Sequence, residues 1–552
     1  MNLENEQLAI DTRGRAFFAA LLFLALAFTW LAMSPCLNNG FINWDETEYL
    51  INNPRIKTLS WESVKTIFST PDLKMYSPLS TLSYSLEYHF AGLKPGIYHA
   101  TSLFLHLADT ALVMVLARLL LGGVWAAFFI ALLFGIHPAH VESVAWAAER
   151  KDVLYAFFYL SSLIAYVLRP GKRGNYLLSL ALFLCALLSK PMALTLPLVL
   201  LLVDYLKQGK IERRHWLDKI PFFILMAVFA GISLSPAAGL HLHWAKRLVV
   251  PFYNLGFYIY TLLWPFNLSA MYVLAPGGKP VFYAFSAAAL AGIFLLWKYF
   301  RRDKEVVFGA AFFVVTLLPV LQFFPFGPVI SADRYTYVPS IGVFFIGAVC
   351  ARRIWRHFDP VNRGIIVICA FSAALTLAVT ASVRCTVWKD GVSLWSDTLR
   401  KQPQAAPALI NLCGAYIQAN MNDKAEACLS QAIRIYPKND DNYYNLGFLS
   451  AQNKKLDKAE ECFAKTLEIS PCHAPALNNM GNIYLLKGEA AKAELYYTQA
   501  VQCDNSYAAA YRNLGKLALS RKDTAKAVLF YKKALSADPA DKETRALLMT
   551  LR

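Results

Sequence analysis

The first strong feature of the chain is an apolar run from Ala16 to Met33, long enough to cross a bilayer as one helix. A polar loop follows, from Cys36 to Pro95, and within it Trp61–Phe68 alternates as an amphipathic segment suited to an interface. Further apolar runs occupy residues 97–121, 123–137, 153–168, 176–189, 191–206, 221–236, 281–299, 306–323, 338–351 and 364–383. With the first, they predict about eleven membrane helices. Phe252–Pro265 is too short to cross and reads as re-entrant or interfacial. Arg13 and Arg15 precede the first run, as in a signal peptide, but no small-x-small cleavage site follows it. We read it as an uncleaved span.

Past Arg384 the periodicity changes. Asn411-Leu412, Asn445-Leu446, Asn479-Met480 and Asn513-Leu514 recur every 34 residues. Gly447, Gly481 and Gly515 keep the same register, as do Ala425, Ala459, Ala493 and Ala527. So do Leu429, Phe463, Tyr497 and Tyr531, and Pro437, Pro471 and Pro539 close the units. That period, with small residues where paired helices touch and an aromatic knob, is the tetratricopeptide pattern. The expected fold is therefore all-α. It comprises a polytopic membrane domain (1–385), a linker (386–403) and four repeats stacked as an α-solenoid (404–552). The repeat groove is expected to hold a polypeptide partner, unless the repeats serve only as a structural cap.

Composition agrees with a lipid-embedded chain, since 57% of the 552 residues are hydrophobic and 16% charged. The net charge of +17 raises nucleic acid as a partner. The Lys and Arg residues, however, fall in short clusters between apolar runs, as cytoplasmic loops do, so no nucleic-acid partner is expected. These clusters are Arg13/Arg15, Arg169/Lys172/Arg173, Lys207/Lys210/Arg213/Arg214, Lys298/Arg301/Arg302/Lys304 and Arg352/Arg353/Arg356/Arg363. An odd number of spans puts all five on the cytoplasmic side and the repeats on the other. The ten cysteines show no close paired spacing of the zinc type. They read as small buried hydrophobes. Cys413, Cys428, Cys462, Cys472 and Cys503 then sit awkwardly as thiols on an oxidising side.

The side opposite the basic clusters collects the candidate chemistry. Asn43-Trp44-Asp45-Glu46-Thr47-Glu48-Tyr49 follows the first span. Its carboxylates are placed either to cap the next helix or to act as a general base. His137-Pro138-Ala139-His140-Val141-Glu142, Trp146 and Glu149-Arg150-Lys151-Asp152 share one loop. Ser189-Lys190-Pro191, His99, His106, Lys246, Arg247 and Asp333-Arg334-Tyr335-Thr336-Tyr337 fall at the same leaflet. Intramembrane and interfacial ionisable groups suggest function by default, and acid, base and cation together suit a lipid-linked phosphate donor. Each group also has a plainer reading as an ion pair or a snorkelling lysine. Pro138 disrupts the helical spacing that a His137/His140/Glu142 metal site needs, so no metal or other cofactor is indicated.

Several stretches carry a resemblance. Trp44-Asp45-Glu46, Tyr76-Ser77-Pro78-Leu79-Ser80, Gly92-Leu93-Lys94-Pro95-Gly96-Ile97-Tyr98-His99, the 137–146 segment, Arg334-Tyr335-Thr336-Tyr337-Val338-Pro339-Ser340 and Val387-Trp388-Lys389-Asp390 occur in this order. In that order they are similar to the TMTC family of transmembrane and tetratricopeptide-repeat proteins, which in turn resembles GT-C glycosyltransferases such as protein O-mannosyltransferases. The resemblance implies an inverting transfer of mannose or a similar hexose from a polyprenyl- or dolichyl-phosphate donor. The acceptors implied are Ser or Thr hydroxyls of exported proteins, presented by the repeats. Asp45 matches the acid that serves as base in that superfamily, and Glu46 matches the acid beside it; many family members read Trp-Asp-Asp here. Arg334, Lys190 and Arg150 are expected at the donor phosphate. His99, His137, His140, Glu142 and Tyr335 are expected at the sugar or acceptor. The compartment expected is a bacterial inner membrane with periplasmic repeats, or the ER membrane with lumenal repeats in a eukaryote. A membrane-anchored scaffold without catalysis, and a transferase acting on a cell-envelope glycolipid, are the alternatives.

Overall fold

The computed structural model describes residues 12–70, 75–169, 173–233, 244–273, 280–323, 329–539 and 541–551. The architecture is all-helical, and each apolar run forms a helix at close to its expected place. Among the described residues five helices are long and apolar enough to cross a bilayer: Arg13–Asn38, Pro95–Leu121, Pro191–Gln208, Pro280–Phe300 and Pro360–Val387. A bent pair, Val124–Ile136 with Pro138–Ala145, turns by 52° and is a sixth span or a re-entrant loop. The chain is thus a multi-pass membrane protein. By length and composition the described residues do not reach the expected count of about eleven spans. The shortfall has local causes: Arg173–Ser189 is cut short at Lys190-Pro191, and Arg150–Val167 begins with three charged residues. The run at 252–265 belongs to a longer helix, Trp244–Leu263, which carries Pro251 inside it. Lys172 and the side chains of Lys246 and Arg247 lie outside the described residues.

The chain divides into two compact units, one of residues 1–51 and 60–404, the other of 52–59 and 405–552. In the first unit, close helix approach depends on glycine. A Cβ on Gly309 would stand 2.6 Å from Ile346 Cγ1 and 2.8 Å from the carbonyl of Gly342, so Lys304–Leu317 and Ser340–Trp355 cross almost backbone to backbone. The segment 386–403, expected as a linker, is not a loose connection. Helix Pro360–Val387 runs into it, and a second helix, Gly391–Lys401, buries Leu394 and Trp395 in the same unit.

The second unit contains four helix pairs, Ala406–Gln418/Asn422–Ile435, Asp440–Gln452/Leu456–Ile469, Ala474–Leu486/Ala490–Cys503 and Ala508–Ser520/Thr524–Ala537, followed by Lys542–Met549. The register residues Ala425, Ala459, Ala493 and Ala527 are fully buried. Gly447 faces the Phe463 ring and Gly481 the Tyr497 ring, where an added Cβ would lie 2.8 and 2.5 Å from ring carbons. The cysteine reading needs correction here. Cys413 pairs with Cys428 and Cys472 with Cys503 as disulfides, leaving Cys462 as a buried thiol. The first bridge ties the two helices of one repeat and the second ties the turn ahead of Ala474–Leu486 to the end of Ala490–Cys503, so spacing in sequence (15 and 31 residues) gave no paired signature.

Candidate active site

Asp45 opens a short π-helical turn, Thr47–Ile51, by accepting the backbone N–H groups of Glu48 (3.1 Å) and Tyr49 (2.8 Å) on its carbonyl. Its side chain caps nothing. The carboxylate is half-buried and has no hydrogen-bond partner among the described residues. Burial holds its pKa above the usual aspartate value; Lys151 and Arg334 pull it down and Glu149 pushes it up. Glu46 is different. It is buried, it accepts the Trp146 indole N–H at 2.9 Å, and burial pushes its pKa to about 8. Asp45 is thus the more accessible member of the pair, and Glu46 the sealed one, which its raised pKa keeps protonated at neutral pH.

Across from Asp45 lies a buried array of three cations and three carboxylates. Lys190 Nζ donates to Glu149 Oε1 at 2.6 Å and Asp152 Oδ1 at 2.5 Å. Arg334 is held by Glu142 through both its backbone N–H (3.0 Å) and its Nη1, and its Nε stands 3.7 Å from Glu149. Lys151 pairs with Glu149 at 3.4 Å and lies 4.7 Å from the Tyr49 ring. Burial raises the Glu149 pKa, but Lys151, Lys190 and Arg334 together outweigh it and hold the group low. Tyr335 flanks both Arg334 (5.0 Å) and Lys190 (6.0 Å). Counting Asp45, the charges nearly balance in place, which is what makes burial of so many tolerable.

The other expected residues are placed differently. Arg150 faces away, its guanidinium used by Glu87 (2.6 Å), the Tyr98 carbonyl (2.6 Å) and Ser102 (3.3 Å). His137 donates to the Leu262 carbonyl (3.0 Å) and accepts the Ala139 N–H (3.2 Å), and His140 donates to the Phe134 carbonyl (2.8 Å). His99 reaches the Gly40 carbonyl at 3.4 Å. All three histidines therefore bind main chain and shape the loops. Glu142 orients Arg334. Among the described residues no group of three or more His, Cys, Asp or Glu side chains is arranged to hold a metal ion.

An indole cage closes the site. Trp44 stacks on Trp146 at 4.2 Å, Trp146 on Trp388 at 5.7 Å, and Trp395 meets Trp44 edge-on at 4.9 Å. The Arg334 guanidinium lies 5.3 Å from the Trp146 ring.

Comparison with known proteins bears on this arrangement. Tetratricopeptide repeat family models match residues 392–447, 441–506 and 478–542. "Protein O-mannosyl-transferase F38B6.6" of Caenorhabditis elegans is 23% identical over 461 residues, covering 77% of this chain and 64% of its own length. "Protein O-mannosyl-transferase TMTC1" of Homo sapiens is 23% identical over 502 residues, covering 76% and 56%. This chain is TMTC-like. "Protein O-mannosyl-transferase TMTC2" of Homo sapiens is 32% identical over 183 residues, 31% of this chain and 22% of that protein. The TMTC-like chain thus matches less than two-thirds of the length of each of these relatives. Among solved structures, "Crystal structure of MamA" aligns with 27% of this chain and 86% of its own at 20% identity and a TM-score of 0.24.

The sequence pattern assigned no role at the site to three of its residues: Lys151, Trp388 and Trp395. Lys151 lay inside a quoted charge run, where its neighbour Arg150 looked the better phosphate ligand. Only the helical phase of Arg150–Val167 decides which of the two faces Asp45.

Proposed function

We propose that this chain is a membrane glycosyltransferase of the GT-C kind. It transfers mannose or a similar hexose from a polyprenyl- or dolichyl-phosphate donor to Ser or Thr hydroxyls of exported polypeptides. The observation that carries this reading is Asp45, a partly buried carboxylate without a hydrogen-bond partner among the described residues, set within the field of Lys151 and Arg334. The names of the relatives, protein O-mannosyl-transferases, support the same chemistry.

In the proposed step the acceptor oxygen attacks the anomeric carbon as Asp45 takes its proton. The bond from that carbon to the phosphate oxygen breaks, the electron pair leaves with the lipid phosphate, and configuration inverts. A phosphate leaving group needs its charge offset more than it needs a proton. Arg334 and Lys190 serve there, with Lys151 in the role first expected of Arg150, which is turned away toward Glu87, Tyr98 and Ser102 while Lys151 acts on Asp45. Tyr335 borders the sugar. The repeats present the acceptor, and the two disulfides support placing them outside the cytoplasm, in the periplasm of a bacterium or the lumen of a eukaryotic cell. No metal or cofactor is required by this scheme.

The test is transfer by the purified full chain from polyprenyl-phosphate mannose to a Ser/Thr peptide, wild type beside Asp45→Asn. A loss of about 10²–10⁴-fold in the variant is expected, the usual contribution of a general base. Equal rates would remove Asp45 from the reaction. Sugar that follows the lipid fraction would shift the acceptor to a glycolipid.

A further inference from the structure

The stretch that leads to Asp45, residues 39–45, has no regular secondary structure of its own. A general base is effective only if it is held to within a fraction of an ångström, and a misplacement of 1 Å can cost about 10²-fold in rate. Something outside the loop must therefore fix it. The contacts that do so come from residues about 350 positions later in the chain.

Asn39 Nδ2 donates to the Cys385 carbonyl at 3.1 Å, and the Gly40 N–H donates to the Lys389 carbonyl at 2.9 Å. These two bonds anchor the start of the loop to the end of the Pro360–Val387 helix. The last residues before Asp45 are held separately. Trp395, fully buried on helix Gly391–Lys401, donates its indole N–H to Asn43 Oδ1 at 3.0 Å and packs its ring edge-on against Trp44. Trp44 is pressed from its other side onto Trp146, whose own N–H holds Glu46. So Asn43, Trp44 and Glu46, the immediate neighbours of Asp45, are each pinned by an indole, while the Asp45 carboxylate is left unbound. Helix Gly391–Lys401 is itself fixed: Asp390 caps it through the Ser393 N–H at 2.8 Å, and Asp397 binds Arg384 at 2.6 Å.

We infer that Trp395 is a positioning residue for the base, acting through Asn43 and Trp44 without touching substrate. This assignment rests on the reading of Asp45 given above, and it makes the segment 385–395 part of the catalytic apparatus. Trp395 supplies two things at once, a hydrogen bond and a flat wall. Phenylalanine keeps the wall and removes the N–H, so Trp395→Phe isolates the hydrogen bond.

In the full-length chain, Trp395→Phe should lower kcat by roughly tenfold, the upper range of one lost hydrogen bond near 1.4 kcal/mol. KM for polyprenyl-phosphate mannose should stay within about twofold, since the cations are untouched. Asn43→Leu should lower kcat at least as far, and the double variant should be no worse than Asn43→Leu alone, because the bond that Trp395→Phe removes is already gone in it. A structural role alone would instead lower thermal stability with kcat preserved, or give additive losses in the double variant; either result overturns the assignment. Amide hydrogen exchange supplies a readout independent of activity. Residues 40–51 should exchange faster in Trp395→Phe, and unchanged exchange there also overturns it. If Asp45→Asn retains transfer, the reading of the base fails, while exchange still decides whether Trp395 holds the loop.

Discussion

Asp45 and Glu46 are adjacent in sequence and opposite in environment. One is partly buried, its carboxylate without a hydrogen bond among the described residues; the other is sealed beneath Trp146 with its pKa near 8. The consequence for stability has a definite sign. Glu46 keeps its proton to about pH 8 in the folded chain and releases it near its ordinary value of 4.5 when unfolded. Between those values the folded state binds more protons, so stability falls as pH rises. Glu46→Gln cannot ionise and keeps an oxygen for the indole. Its melting temperature should match wild type near pH 5 and exceed it increasingly toward pH 8, with transfer activity retained. A difference that stays flat across that interval would mean Glu46 is ionised in the fold. The two carboxylates could not be told apart in sequence, because what separates them is a tryptophan one hundred residues away.

At the level of elements, the repeats were the most legible part of the chain. Each repeat packs mainly on itself and its neighbours, so its contacts are written at fixed, short spacings. Gly481 shows how tight the rule is: an added Cβ would meet the Tyr497 ring at 2.5 Å. Gly481→Ala should destabilise the repeats by about 1–3 kcal/mol, the usual range for overpacking, despite alanine's better helix propensity. Thermal unfolding followed by proteolysis of the repeat region measures this; a neutral result would mean the ring swings aside freely. The helix Gly391–Lys401 was illegible as part of the site for the converse reason. Its amphipathic pattern shows that one face is buried, but nothing periodic says against what. Its partners, residues 39–44, lie too far away in sequence for local pattern to reveal.

At the level of the whole molecule, charge divides the chain. The basic clusters sit with local acids, as where Arg352 binds Glu305 at 2.7 Å and Arg169 binds Asp218 at 3.1 Å. The disulfides and Asp45 belong to the opposite side in the proposed topology. Cysteines introduced by Lys438→Cys and Arg356→Cys at exposed positions should then behave oppositely in intact cells. An impermeant maleimide added outside, past any outer envelope, should label the first and not the second; equal labelling would overturn the orientation. A sidedness to test was readable from Lys and Arg placement. Span count was not, because helices interrupted by Pro138, Lys190 and the 150–152 charges lack the uniform apolar length on which counting relies.

The Trp44–Trp146 stack has an optical consequence. Its rings lie 4.2 Å apart and within 15° of parallel, close enough for their excited states to couple. The pair should contribute a distinctive signal to near-ultraviolet circular dichroism, dependent on the separation and angle of the two indoles. Since Trp44 immediately precedes Asp45, any movement of the base that carries Trp44 with it changes that signal. The loop proposed to do the chemistry carries its own chromophore, and its motion is open to observation without a label.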